Sequence, residues 1–148
     1  AGAKNYKDYS LKILKICTKK PISFEVFADN FKDMLKQAYE INSWGKNVYV
    51  KIPVVNSKGV FTGPVIKTLS DKGIKLNITA VYTFEQTKKI YKKLSTKNKN
   101  YNVIYICSNK RLNQNNKNFK EKTNSLLRSK ETIYLILEKI EKIQTKYN

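Results

Sequence analysis

Three short runs of alternating apolar and polar residues, each followed by a helical stretch, constrain this chain more than any other feature. The runs are Ile22–Ala28 (ISFEVFA), Asn47–Pro53 (NVYVKIP) and Ile74–Thr79 (IKLNIT). Period-2 geometry sends successive side chains to opposite faces, so each run reads as a strand. The stretches between and after them carry apolar residues at helical spacing. Asp29–Ile41 places Phe31, Met34, Leu35 and Ala38 on one face, with Asp29 or Asn30 as N-cap. Pro64–Asp71 reads as a short helix closed by Gly73, and Thr83–Leu94 as another. A further helix over Asn5–Cys17 precedes the first strand. Strand and helix alternating at short intervals predict an α/β fold of parallel, right-handed βαβ units.

The second strand carries an anomaly. Val48, Val50 and Ile52 fall on one face, which puts Lys51 on the other, and Pro53 closes the run. A lysine on a core strand is costly to bury unless it is paired or neutral. A desolvated amine is also what carbonyl chemistry needs to form a Schiff base. The neighbouring strands repeat the pattern. Ser23 and Glu25 oppose Ile22, Phe24 and Val26, while Asn77 and Thr79 oppose Leu76 and Ile78. Parallel strands covered on both faces usually read as continuous apolar runs. Taken singly, each polar residue fits a satisfied buried group, or a strand-end lysine reaching water. Their coincidence near the C-terminal ends of three strands favours a catalytic site. A partial (β/α)8 (TIM) barrel of three to four βα units, whose lumen collects catalytic groups there, accounts for it.

Composition narrows the chemistry. The 148 residues suffice for one domain with a real core. The chain has no histidine, and Cys17 and Cys107 lie far apart, which argues against a zinc site and against Ser-His or Cys-His nucleophiles. No metal site is expected. Few cysteines and no signal peptide point to the cytoplasm. No apolar stretch approaches the roughly 20 residues of a membrane span. The net charge of +19 raises nucleic-acid binding. Yet the excess is lysine spread along the chain among many asparagines, and arginine occurs only at Arg111 and Arg128. Compositional drift explains that better than a dedicated binding stripe.

The runs PISFEVFADNF, SWGKNVYVKIPVVNSKG and LSDKGIKLNITAVYTFEQ, in this order and spacing, resemble the small bacterial transaldolases and fructose-6-phosphate aldolases. The resemblance covers about residues 1–94 and implies a class I, Schiff-base enzyme. Such an enzyme transfers a dihydroxyacetone unit between sugar phosphates without a cofactor. By that resemblance Lys51 is the Schiff-base lysine. Glu25 is the acid that works through a catalytic water, Thr79 holds that water, and Asn77 binds substrate hydroxyls. Arg111, in IYICSNKRLN, stands where the family has a phosphate-binding arginine.

Two departures accompany the match. The family's first-strand aspartate and its TNP motif do not occur in this sequence, and Ala1 falls just after the place where TNP would end. After about residue 100 the resemblance fades into asparagine- and lysine-rich sequence, which suits a diverged tail or a shifted reading frame. The expected organisation is therefore a partial barrel over 1–100. A divergent tail over 101–148 follows, with a strand near Asn102–Cys107 and a closing helix over Thr132–Gln144. Within the tail, Asn113–Asn124 is expected to pack poorly. A few βα units cannot close an eight-stranded barrel. The chain is accordingly read as a fragment or as one partner of a second copy. A non-catalytic remnant and a basic nucleic-acid module are the alternatives.

Overall fold

A computed structural model describes residues 5–95 in full, and beyond them the backbone of two strands at 102–106 and 133–135. The elements run α1 (Tyr6–Ile16), β1 (Ile22–Glu25), α2 (Phe31–Ser43), β2 (Val48–Pro53), α3 (Gly63–Asp71), β3 (Leu76–Val81), α4 (Phe84–Tyr91), β4 (Asn102–Ile106) and β5 (Ile133–Leu135). Local signals set the helix starts. Asn5 and Asn30 accept from the backbone N–H of Asp8 and Asp33. Thr83 and Gln86 form a reciprocal capping box ahead of α4. After α3, Gly73 adopts φ 73°, the left-handed turn that lets Ile74 N–H reach back to Leu69.

The sheet is parallel throughout, in the order β1-β2-β3-β4-β5. Spatial order equal to sequence order is the winding of a barrel, because a doubly wound sheet reverses its order partway. One core cluster joins the helices to one face of the sheet. Met34, Ala38 and Ile41 of α2, Val65, Ile66 and Leu69 of α3 and Ile90 of α4 meet Phe24, Val48, Val50, Ile52, Leu76 and Ile78. The architecture is the partial α/β barrel that the sequence pattern predicts.

The alternation breaks once. Between Ile78 and Val81, β3 carries one residue more than β4, and Ala80 takes the bulge with φ 56°. The extra residue returns Val81, which would otherwise face the lumen, to the buried side. A second departure concerns the tail. Ile133–Leu135 forms β5, paired with β4, where the sequence suggested the start of a closing helix. An Ile-Tyr-Leu run favours a strand as readily as a buried helix, and periodicity alone does not separate the two. Arg111, Cys107, Asn113–Asn124 and the remainder of the proposed closing helix lie outside the described residues.

Candidate active site

Parallel register builds the site. Glu25 pairs with Lys51 and Lys51 with Asn77, so the three stand in one row across β1, β2 and β3. One step up the lumen face, Pro53 pairs with Thr79, and one step down Ser23 pairs with Tyr49. The intervening residues Val50, Ile52, Leu76 and Ile78 are fully buried against the helices. With alternate positions so buried, the polar set is turned to the opposite face. Lys51 Nζ donates to Glu25 Oε2 at 3.2 Å, and both side chains keep about a third of their surface exposed (36% and 37%).

Asn77 reaches across β2 and donates from Nδ2 to Ser23 Oγ at 2.9 Å. Its Oδ1 is buried and has no hydrogen-bond partner among the described residues. A buried acceptor of this kind suits a hydroxyl donor. Thr79 is buried one step above the row, with 7% of its surface exposed. The row thus combines an amine, a carboxylate directly on it, an amide acceptor and a hydroxyl.

Loop contacts hold the rim. Gln37 Oε1 accepts from the N–H groups of both Phe27 and Ala28 and so holds the chain just after β1. Asp29 then accepts from Ser57 N–H at 2.7 Å and from its hydroxyl at 2.9 Å. Asn56 donates to the Asp29 carbonyl, tying the loop after β1 to the loop after β2. The Ser57 backbone bond, then its hydroxyl, hold the Asp29 carboxyl below the usual aspartate range, with Lys58 adding to the effect. Inside the second loop, buried Thr62 donates to the carbonyls of Pro53 and Val54.

Behind Glu25, the Tyr6 hydroxyl contacts its backbone N–H and carbonyl. Burial pushes the Tyr6 phenol up, and the charge of Glu25 adds to that.

Of the residues singled out in the sequence, Glu25, Lys51, Asn77 and Thr79 share the lumen face. Arg111 lies outside the described residues. Ala80 and Tyr6 were not singled out, and neither was the contact that Ser23 makes. Ser23 shares the face by its spacing from Glu25, but its bond to Asn77 spans an intervening strand and leaves no mark in either motif. Ala80 gives no warning, because a non-glycine residue at positive φ carries no composition signal. Tyr6 depends on how α1 seats against β1, which helical periodicity does not specify.

A sequentially wound parallel sheet with lysine and carboxylate on its lumen face belongs to the (β/α)-barrel class. The family model described as Transaldolase/Fructose-6-phosphate aldolase matches residues 7–147, and the chain belongs to that family. The match runs past residue 100, so the tail is part of it too, beyond where the resemblance in the sequence fades. A probable transaldolase of Dehalococcoides mccartyi is 34% identical over 85 residues, covering 57% of this chain and 38% of its own length. One from Lactiplantibacillus plantarum is 38% identical over 66 residues, 45% of this chain and 29% of its own. One from Herpetosiphon aurantiacus is 29% identical over 85 residues, 57% of this chain and 36% of its own. The chain thus spans well under half the length of these relatives. Among the described residues no helix is long and apolar enough to cross a membrane.

Proposed function

We propose that the chain carries the Schiff-base portion of a transaldolase, transferring a dihydroxyacetone unit between sugar phosphates in the cytoplasmic pentose phosphate pathway. The observation that carries this reading is the shared row of Glu25, Lys51 and Asn77, with Lys51 Nζ 3.2 Å from the carboxylate.

The chemistry follows from those groups. Glu25 accepts a proton from Lys51, and the freed lone pair attacks the ketose C2 carbonyl. The carbinolamine loses its oxygen as water, Glu25 supplying the proton through a water held by Thr79. The resulting iminium draws in the electron pair of the C3–C4 bond as the C4 hydroxyl gives up its proton, through the same water, to the Glu25 carboxylate, which returns it when the acceptor's oxygen becomes a hydroxyl. The leaving fragment departs as an aldehyde, and an enamine remains on Lys51. The enamine carbon then adds to the acceptor aldehyde, and water hydrolyses the new iminium and frees the lysine. Asn77 orients substrate hydroxyls, its buried Oδ1 being the acceptor at hand. Arg111 is the proposed phosphate ligand.

The test is borohydride trapping with fructose 6-phosphate, followed by peptide mass mapping. An adduct on the Lys51 peptide, absent in Lys51→Met, is expected if the site is competent. Transfer to erythrose 4-phosphate, lost in the same variant, is the second reading of a competent site. The remnant reading keeps a specific support. Lys51 is over a third exposed. Neither adduct nor turnover would establish that reading and leave the family membership as ancestry.

A further inference from the structure

One hydrogen bond on the lumen face skips a strand. Asn77 on β3 donates from Nδ2 to Ser23 Oγ on β1 at 2.9 Å, with β2 lying between them. The register fixes where it crosses. Asn77 is level with Lys51, and Ser23 is level with Tyr49, one lumen step lower. The bond therefore passes over β2 between the Lys51 and Tyr49 positions, diagonally beneath the row of Glu25, Lys51 and Asn77.

An asparagine amide has two different ends to offer. Its last torsion is broad and nearly two-fold, so a half-turn of the amide costs little by itself. That half-turn exchanges an acceptor for two donors. In the observed orientation Nδ2 is engaged at Ser23, and Oδ1 is the buried end without a hydrogen-bond partner among the described residues. A serine hydroxyl both donates and accepts, so it could hold either end. The far end decides between them. Turned over, the amide would set two N–H donors in the buried position, and unpaired buried donors are the costlier defect. We propose that Ser23 is a positioning residue whose hydroxyl pins the Nδ2 end of Asn77 across β2 and so presents Oδ1 as the acceptor of the row. A single neutral bond of this kind adds little net stability. What it fixes is which end of the amide a bound molecule meets. The bearing on substrate rests on the transaldolase reading, but the orientation of the amide does not.

The first measurement needs neither substrate nor variant. In the NMR spectrum of the chain, the Asn77 Hδ2 protons should show a nuclear Overhauser contact with the Ser23 Hβ protons, and its absence overturns the proposal. Ser23→Ala should speed solvent exchange of the Hδ2 protons about tenfold, and Ser23→Thr, which keeps a hydroxyl, should restore it to within about twofold. The backbone amides of Lys51 and Asn77 should keep their rates in both variants. Unchanged Hδ2 exchange in Ser23→Ala would show that the hydroxyl anchors nothing. Backbone amides that speed up in step with Hδ2 would make Ser23 a strut of the sheet and overturn the positioning role. The second measurement is the dependence of borohydride trapping on fructose 6-phosphate. Its half-saturating concentration should rise about tenfold in Ser23→Ala, while the limiting rate stays within about twofold. An unshifted half-saturation would overturn the role in presenting the acceptor. Should Ser23→Ala fail to fold, the wild-type Overhauser contact still decides. No adduct even in the wild type, alongside a positive first measurement, would count against the transaldolase reading only.

Discussion

The two faces of one sheet obey different rules. Against the helices, Val50, Ile52, Leu76 and Ile78 are sealed from water and interchangeable in kind, any well-packed aliphatic serving there. On the lumen face, one residue over in each strand, Glu25, Lys51 and Asn77 are partly open, and the proposed chemistry ties each to its own functional group. The first face supplies the free energy that orders the strands. The second spends almost none of it and uses the order to bring an amine to a carboxylate. Mutations on the two faces should therefore separate stability from chemistry.

The largest expected effect lies on the helix face. Ile52→Ala, next to Lys51 in sequence but pointing away from it, should cost about 2–5 kcal/mol by urea unfolding, since it opens a cavity in the closed core. A loss under 1 kcal/mol would mean that this face is not the one carrying stability, and the comparison would fail at its base.

Ala80 marks the seam between the faces. Its φ of 56° is a conformation in which a Cβ costs about 1 kcal/mol relative to glycine. Ala80→Gly should therefore be neutral to stabilising by up to about 1 kcal/mol. Ala80→Val should be destabilising by at least about 1 kcal/mol, because a β-branched residue fits that region poorly. If valine is tolerated as well as glycine, the bulge is not what returns Val81 to the core.

On the lumen face, Lys51→Met should change stability by less than about 1 kcal/mol, because an ion pair a third exposed is screened and its partner rehydrates. The same substitution should abolish any borohydride-trapped adduct. A stability loss approaching that of Ile52→Ala would show that the pair is structural, and the two-face distinction would lose its chemical half.

How much of this was legible follows from the same distinction. The βα order, the helix-facing residues and the parallel pairing were readable, because burial acts on periodicity and periodicity is written along the chain. The placement of Glu25, Lys51, Asn77 and Thr79 on one face was readable for the same reason, and family motifs named them. What was not readable depends on distances across the fold. Asn77 passes over β2 to Ser23, and Tyr6 crosses from a helix to a strand nineteen positions away. The strand at Ile133–Leu135 was misread because three apolar residues carry no period of their own. The bulge was invisible, since alanine at positive φ is chosen by the surrounding ladder and not by its own propensity.

The smallest effect is expected at the rim, where Asp29 ties the loops that follow β1 and β2. Its carboxyl is held below the usual aspartate range, first by the Ser57 N–H and then by the Ser57 hydroxyl. A carboxyl with a lowered folded value takes up its proton more readily when unfolded. The stability it contributes is therefore complete above the ordinary aspartate value of about 3.9, and it is lost as pH falls through the lowered folded value. Asp29→Asn keeps an acceptor for Ser57 but removes the charge. The difference between wild type and this variant in urea midpoint should be small at pH 7 and shrink further below about pH 4. Glu85 is also lowered, first by its bond to Lys88, but it is common to both proteins and cancels in the difference. Asp29 sits at a partly exposed rim, so the clamp is worth little as energy. Its value lies in register between two loops, which a second measurement isolates. The amides of Phe27 and Ala28 are held by Gln37 and should keep their exchange rates in Asp29→Asn, whereas the Ser57 amide should exchange faster. Unchanged Ser57 exchange would show that the two loops are positioned by their own turns, and that the rim of the lumen face needs no clasp.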